Sequence, residues 1–258
     1  MFGDVLFNPL ASSVEFDHVW FKYEGRDEWA LQDVSFRIDA GETAVFVGAP
    51  GSGKSTINKL ILRLYRPVKG SIMVGGRDVF EYENNSYRKY ISAIEQEVFL
   101  FSETIDENLK FGFPDATEEV IRTSIQMAQA EKFINTFPKK LQTEIGERGV
   151  KLSGGEKQRL AIARALLMNP SVLLMDDASS ALDAKTELEI QEAIENILRT
   201  RTSIITTHRL SIISRATKVV LINDGRIVAI GTHIELLEKQ PEYRRLFVRK
   251  LVAPTPVT

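Results

Sequence analysis

Gly48-Ala49-Pro50-Gly51-Ser52-Gly53-Lys54-Ser55-Thr56 lies between an apolar run, Ala44-Val45-Phe46-Val47, and an amphipathic stretch from Thr56 to Tyr65. Gly48, Gly53, Lys54 and Ser55 satisfy the spacing G-x-x-x-x-G-K-[ST], which forms a phosphate-binding loop when a strand precedes it and a helix follows. Glycines let consecutive backbone N–H groups turn inward around phosphate oxygens with no Cβ in the way. The helix start adds partial positive charge at the same point. In such a loop Lys54 bridges the β- and γ-phosphates and the Ser55 hydroxyl ligates Mg²⁺. A glycine-rich turn could match the spacing by chance, but the flanking strand and helix patterns argue against that.

Outward from the loop, apolar strands and amphipathic helices alternate. Val14 to Tyr23 alternates apolar and polar residues, as a half-buried strand does. A second strand is expected near Leu31 to Ile38, and Ser71 to Val74 with the turn Gly75-Gly76 reads as a hairpin. Residues 104–136 carry apolar positions at helical spacing, which predicts a helical insertion. Helix is expected again at about 154–168, then a buried strand, Val172-Leu173-Leu174-Met175, ending in Asp176 and Asp177. A helix over 184–199, a strand over 203–207 and a tight turn at Asp224-Gly225 follow. This order implies an α/β fold built on a mostly parallel sheet with helices on both faces. An aspartate at the end of the strand beside a phosphate loop can hold Mg²⁺ directly or through water.

Bulk properties narrow the class. The 258 residues suffice for one large domain or a domain with subdomains. A net charge of −2 argues against a nucleic-acid partner. With no cysteine there is no disulfide framework or thiol chemistry. No apolar run approaches the roughly 20 residues of a membrane-spanning helix. Residues 1–13 lack a basic stretch followed by an apolar core, so no signal peptide is expected and the chain reads as soluble.

Leu152-Ser153-Gly154-Gly155-Glu156-Lys157-Gln158 begins about a hundred residues after the phosphate loop. With this stretch the chain resembles the nucleotide-binding domain of ATP-binding-cassette transporters, over about residues 14–250. The resemblance implies a P-loop NTPase, RecA-like core with an N-terminal antiparallel β subdomain and an α-helical insertion subdomain at about 97–155. Residues 1–13 would be a linker and 251–258 a disordered tail. It also implies ATP and Mg²⁺ as ligands. Tyr23 looks like the aromatic that stacks on adenine. Residues Gly48, Gly51, Ser52, Gly53, Lys54, Ser55 and Thr56 belong to the phosphate loop. Gln96 looks like the glutamine that senses Mg²⁺ and the attacking water, and Asp176 like the Mg²⁺-site aspartate. Ser153, Gly154 and Gly155 belong to the sequence that gives the family its name, and they would bind the γ-phosphate held by a second protomer. Ser180–Asp183 looks like the loop linking the two sites, and His208 like the switch histidine near the γ-phosphate. His18 and His233 read as structural, with Thr232 as the helix cap beside His233.

Thr143-Glu-Ile145-Gly146-Glu147-Arg-Gly149 resembles the segment that exporter-type cassettes use against the coupling helices of their membrane domains. Phe99, Phe101, Phe111 and Phe113 are either core or part of that docking surface. The implied partners are a second nucleotide-binding domain and the transmembrane domains of an exporter. The implied place is the cytoplasmic face of a membrane. One departure stands out: the family has Glu after the Mg²⁺-site aspartate, where this chain has Asp177. Asp is one methylene shorter, so a carboxylate meant to polarise the attacking water is displaced by roughly 1 Å. The chain's own site is therefore expected to bind ATP and hydrolyse it slowly, as in the impaired half of some heterodimers. Two other readings are a regulatory module with negligible turnover and a soluble cassette ATPase of DNA repair or translation. The latter would need long coiled coils or tandem cassettes, and no heptads interrupt this chain.

Overall fold

The computed structural model describes residues 2–176, 184–198 and 200–251. The segment containing Asp177 and Ser180–Asp183 therefore lies outside the described residues, as does the tail from 252. An antiparallel sheet comes first, in the order β2-β1-β4-β5. It is formed by β1 (Val14–Phe21), β2 (Leu31–Ile38), β4 (Lys69–Val74) and β5 (Arg77–Asp78). Strand β3 (Thr43–Val47) leads into the phosphate loop and belongs to the other sheet. That sheet has the order β10-β9-β3-β8-β7-β6, with β6 (Ile91–Ile94), β7 (Val172–Asp176), β8 (Thr202–Thr206), β9 (Lys218–Asn223) and β10 (Arg226–Gly231). Its strands are parallel from β9 to β6, and β10 returns antiparallel beside β9.

The buried runs explain the layering. Every residue of β3 and of β8 is buried, as parallel strands covered on both faces require. Because strand side chains alternate, β3 feeds two cores. Ala44 and Phe46 join a cluster with Ile57, Leu60 and Ile61 of α1 (Lys54–Ile61) and with the antiparallel sheet. Phe36 stacks on Phe16 at 4.6 Å and meets Phe46 edge-on at 5.2 Å, which fastens the two sheets together. Val45 and Val47 join the opposite cluster, which holds the helical region. Helix α2 (Asn84–Tyr90), whose Tyr87 belongs to the first cluster, precedes β6; in the opposite cluster α3 (Ile105–Lys110), α4 (Glu118–Met127) and α5 (Glu131–Thr136) follow it. These helices pack Ile105, Leu109, Ile121, Ile125, Phe133 and Ile134 with α6 (Gly154–Leu167). Remaining helices are α7 (Ala184–Leu198), α8 (Leu210–Ile213), α9 (His233–Lys239) and α10 (Pro241–Leu251). Among the described residues no helix is long and apolar enough to cross a membrane.

The α/β class, the antiparallel sheet and the helical insertion agree with the sequence expectation. Helix α1 does not run to Tyr65: it stops at Ile61, and Arg63 takes a left-handed φ of 58°. The cause is tertiary. The Arg63 guanidinium is 6 % exposed and donates to the carbonyls of Val79 and Tyr82 at 3.0 and 3.1 Å. Turning the chain to deliver that group ends the helix.

Among the described residues the N-terminal lead has no helix of its own, yet it is docked. Gly3 N–H donates to Phe80 O at 2.8 Å, Val5 N–H to Glu81 O at 3.2 Å, and Glu83 N–H to Val5 O at 2.8 Å. Phe7 is 4 % exposed and its ring centroid lies 5.1, 5.8 and 5.7 Å from those of Tyr82, Tyr87 and Tyr90. A Phe7→Ala variant should lose about 3–5 kcal/mol of stability and melt roughly 6 °C or more lower. Thermal denaturation followed by circular dichroism reads this directly, and an unchanged melting temperature would show that the lead is dispensable.

Candidate nucleotide site

Parallel strands put their carboxyl ends on one edge of the sheet, where such folds bind ligands. Here β3 ends at the phosphate loop, β8 runs out toward His208, β7 ends at Asp176 and β6 runs out toward Gln96. Sheet topology alone therefore gathers four of the predicted groups on one edge. His208 and Gln96 are exposed there.

The loop is built as its glycines predict. A Cβ on Gly48 would lie 2.1 Å from the Ile222 carbonyl oxygen. Gly53 has φ +106, and a Cβ there would lie 2.7 Å from Ala30 O. Gly51, at φ +79, faces open space, so its requirement is conformational. Lys54 is 9 % exposed, and its ammonium donates to Gly48 O at 3.0 Å, Ala49 O at 2.7 Å and Ser52 Oγ at 3.2 Å. Burial holds its pKa below the usual lysine value, partly offset by the Asp176 carboxylate. The cation thus sits inside the loop among its carbonyls, ready to exchange those acceptors for phosphate oxygens.

Ser55 Oγ donates to Asp176 Oδ2 at 2.6 Å across 121 residues of sequence. A hydroxyl and a carboxylate side by side are hard oxygen donors of the kind Mg²⁺ takes. Among the described residues no group of three or more His, Cys, Asp or Glu could hold a metal alone. Phosphate oxygens and water would have to complete the shell, as is usual for Mg²⁺ at nucleotide sites. The Ser55 hydroxyl and the Asp176 carboxylate fit the ion.

Tyr23 is half-buried, and its hydroxyl hydrogen-bonds the Thr56 hydroxyl at 3.0 Å. Its ring meets Phe21 edge-on at 5.0 Å and Tyr65 edge-on at 5.3 Å. The ring is thereby fixed beside the loop, in a cleft also lined by Arg26, Trp29, Ala30 and Gly51. Arg26 and Trp29 escaped the sequence reading because they lie in a polar connection with no periodicity.

Ser153 N-caps α6, its hydroxyl accepting from Glu156 N–H at 3.3 Å, while Glu156 Oε2 accepts from Ser153 N–H at 2.8 Å. Ser153 and Gly154 are exposed and Gly155 is buried. This places an exposed helix start well apart in sequence from the phosphate loop. Beyond Gln96, Asn108 is 1 % exposed and pins Phe101, accepting from its N–H at 2.8 Å and donating to its carbonyl at 3.1 Å. The four phenylalanines divide: Phe99 and Phe111 are 53 % and 63 % exposed, Phe101 stacks on Phe111 at 4.2 Å, and Phe113 packs against the helical core. His18 pairs with Asp33 at 2.7 Å and His233 bonds Tyr243 at 2.7 Å, with Thr232 capping α9 as expected.

A family model described as "ABC transporter" matches residues 31–180. The chain belongs to the ABC transporter family. It is the family's nucleotide-binding domain. It is 46 % identical over 240 residues to the "Putative multidrug export ATP-binding/permease protein YgaD" of Bacillus subtilis (strain 168), covering 93 % of this chain and 41 % of that protein. A Staphylococcus aureus (strain NCTC 8325 / PS 47) protein of the same description is 45 % identical over 234 residues, covering 91 % of this chain and 40 % of that one. A solved structure described as "Structure of a bacterial Atm1-family ABC exporter with ATP bound" superposes with a TM-score of 0.89 at 37 % identity, over 99 % of this chain and 44 % of that one. The nucleotide-binding domain thus spans about two fifths of the length of the curated relatives it matches.

Proposed function

We propose that the chain is the ATP-binding and ATP-hydrolysing motor of an exporter, working as a head-to-tail dimer on the cytoplasmic face of a membrane. The observation that carries this reading is the Ser55–Asp176 contact at 2.6 Å, directly after a glycine cradle and a buried lysine. Backbone N–H groups of the loop, other than at Pro50, and Lys54 bind the phosphates, Tyr23 stacks on the base, and Ser55 with Asp176 would hold Mg²⁺ through their side-chain oxygens. Mg²⁺, when bound, neutralises charge that develops on the transferring phosphoryl group. Gln96 and His208 orient the water and a γ-phosphate oxygen from the same sheet edge. Asp177 would polarise the water with a side chain one methylene shorter than glutamate. The exposed Ser153-Gly154 helix start binds the γ-phosphate held by another nucleotide-binding domain, either a second copy or a homologous partner. Closing and reopening of that pair moves the transmembrane domains.

Slow hydrolysis makes the ATP-bound pair long-lived, which gives the test. The chain should associate in Mg-ATP, as read by sedimentation or light scattering, and a Ser153→Asp variant should not. Aspartate is as good an N-cap as serine, so α6 persists, but its charge repels the γ-phosphate. Association of Ser153→Asp equal to that of the unaltered chain, or no response of the unaltered chain to Mg-ATP, would overturn the reading. A regulatory module with negligible turnover remains the second reading, favoured by Asp177 itself. Turnover assayed with transmembrane domains present separates the two.

A further inference from the structure

The phosphate loop is open at its front and braced from behind by a turn far away in sequence. Three glycines report the bracing. A Cβ on Gly48 would strike Ile222 O at 2.1 Å, and a Cβ on Gly53 would strike Ala30 O at 2.7 Å. One on Gly225, in the β9–β10 turn, would strike the same Ala30 oxygen at 2.8 Å. The backbone of Ala30, before β2, and of Ile222 in β9 therefore closes on the loop, and the turn closes on Ala30. The turn also bonds it directly: Gly225 N–H donates to Ser52 O at 3.1 Å.

That bond has a geometric consequence. In a trans peptide the C=O and the following N–H point in opposite directions. Drawing the Ser52 carbonyl back toward Gly225 therefore aims the Gly53 N–H forward, into the cradle. The turn is itself held. Asp224 and Gly225 have left-handed φ of 46° and 72°, as a two-residue hairpin turn of this hand requires. Gln32 locks it from β2: its backbone N–H donates to Gly225 O at 2.8 Å and its side-chain Nε2 to Asp224 O at 3.1 Å, while Arg226 donates to Gln32 Oε1 at 2.8 Å.

We propose that Gly225 and Gln32 are positioning residues for phosphate binding: they hold the Ser52 carbonyl back so that the Gly53 N–H faces the nucleotide. This rests on the phosphate loop being the nucleotide site. The test compares Gly225→Ala with Gly76→Ala. Gly76 has the same left-handed strain, φ +79, but faces open space in the remote β4–β5 turn. Both variants should lose stability through the shared strain, Gly225→Ala the more because its Cβ also meets Ala30 O. Only Gly225→Ala should also weaken Mg-ATP, by about tenfold, the loss of one well-aimed donor to a charged group. Gln32→Ala adds no strain and should weaken Mg-ATP in the same direction at an unchanged melting temperature; it serves if Gly225→Ala fails to fold. Equilibrium titration of the full chain with Mg-ATP, alongside thermal melts, reads both quantities. If Lys54→Ala abolishes binding while Gln32→Ala, and Gly225→Ala where it folds, bind like Gly76→Ala, the positioning role is wrong and the nucleotide site stands. If the unaltered chain ignores Mg-ATP, both fall.

Discussion

Mg-ATP turnover is expected to fall about 100-fold or more when Lys54 is replaced by alanine, the scale for removing one donor aimed at developing charge. The ammonium is the only side-chain cation among the described contacts within the loop, and three loop oxygens hold it at 2.7–3.2 Å. Stability should change little. The variant sheds the cost of a buried cation, seen in the lowered lysine pKa, and this offsets the loss of its three hydrogen bonds. An unchanged melting temperature with lost turnover would therefore separate chemistry from folding. Lys54→Arg should not rescue, because a planar fork cannot occupy the space of a compact ammonium among Gly48 O, Ala49 O and Ser52 Oγ. Undiminished turnover in Lys54→Ala would remove the loop from the reaction.

The second large effect has the opposite sign. Asp177→Glu should raise hydrolysis at the chain's own site by up to about 100-fold, the scale for correcting a misplacement of roughly 1 Å. Asp176, one residue earlier, is fixed by Ser55. The gain should appear in kcat with little change in KM, because the carboxylate acts on the water in the transition state and not on bound ATP. The assay must use the dimer that completes the site. No acceleration there would mean that Asp177 does not limit the reaction. If the chain works beside a homologous partner, its intact Ser153-Gly154-Gly155 would serve the partner's faster site, and Ser153→Asp would then depress the pair more than Asp177→Glu raises it.

The site was readable where its signal is local. Nine consecutive residues encode the cradle, and the apolar run Val172–Met175 announces a buried strand that can deliver Asp176. Capping boxes at Ser153 and Thr232 are equally local, since both partners lie within three residues. Gln96 was placed by resemblance only, because the strand before it is short and offers just two buried residues, Ile91 and Ile94. What stayed hidden was carried by backbone. The Ala30 and Ile222 carbonyls that shape the loop belong to residues whose side chains say nothing about the contact. Asp224-Gly225 was legible as a turn, but not as a turn against Ser52. Likewise, the end of α1 depends on where a buried guanidinium finds its acceptors, which no helical periodicity records.

The docked lead has a mechanical meaning. Its aromatic plug is seated in a socket made by Tyr82, Tyr87 and Tyr90, and Tyr90 is the final residue of α2, joined without a gap to β6. A second rivet lies nearby, where the Phe2 ring centroid sits 4.3 Å from the Arg63 guanidinium at the tail of α1. Tension applied to the first residues would thus be shared between the helix that starts in the cradle and the strand that leads toward Gln96. Cutting the chain at residue 14 would leave both ends of that linkage without a handle.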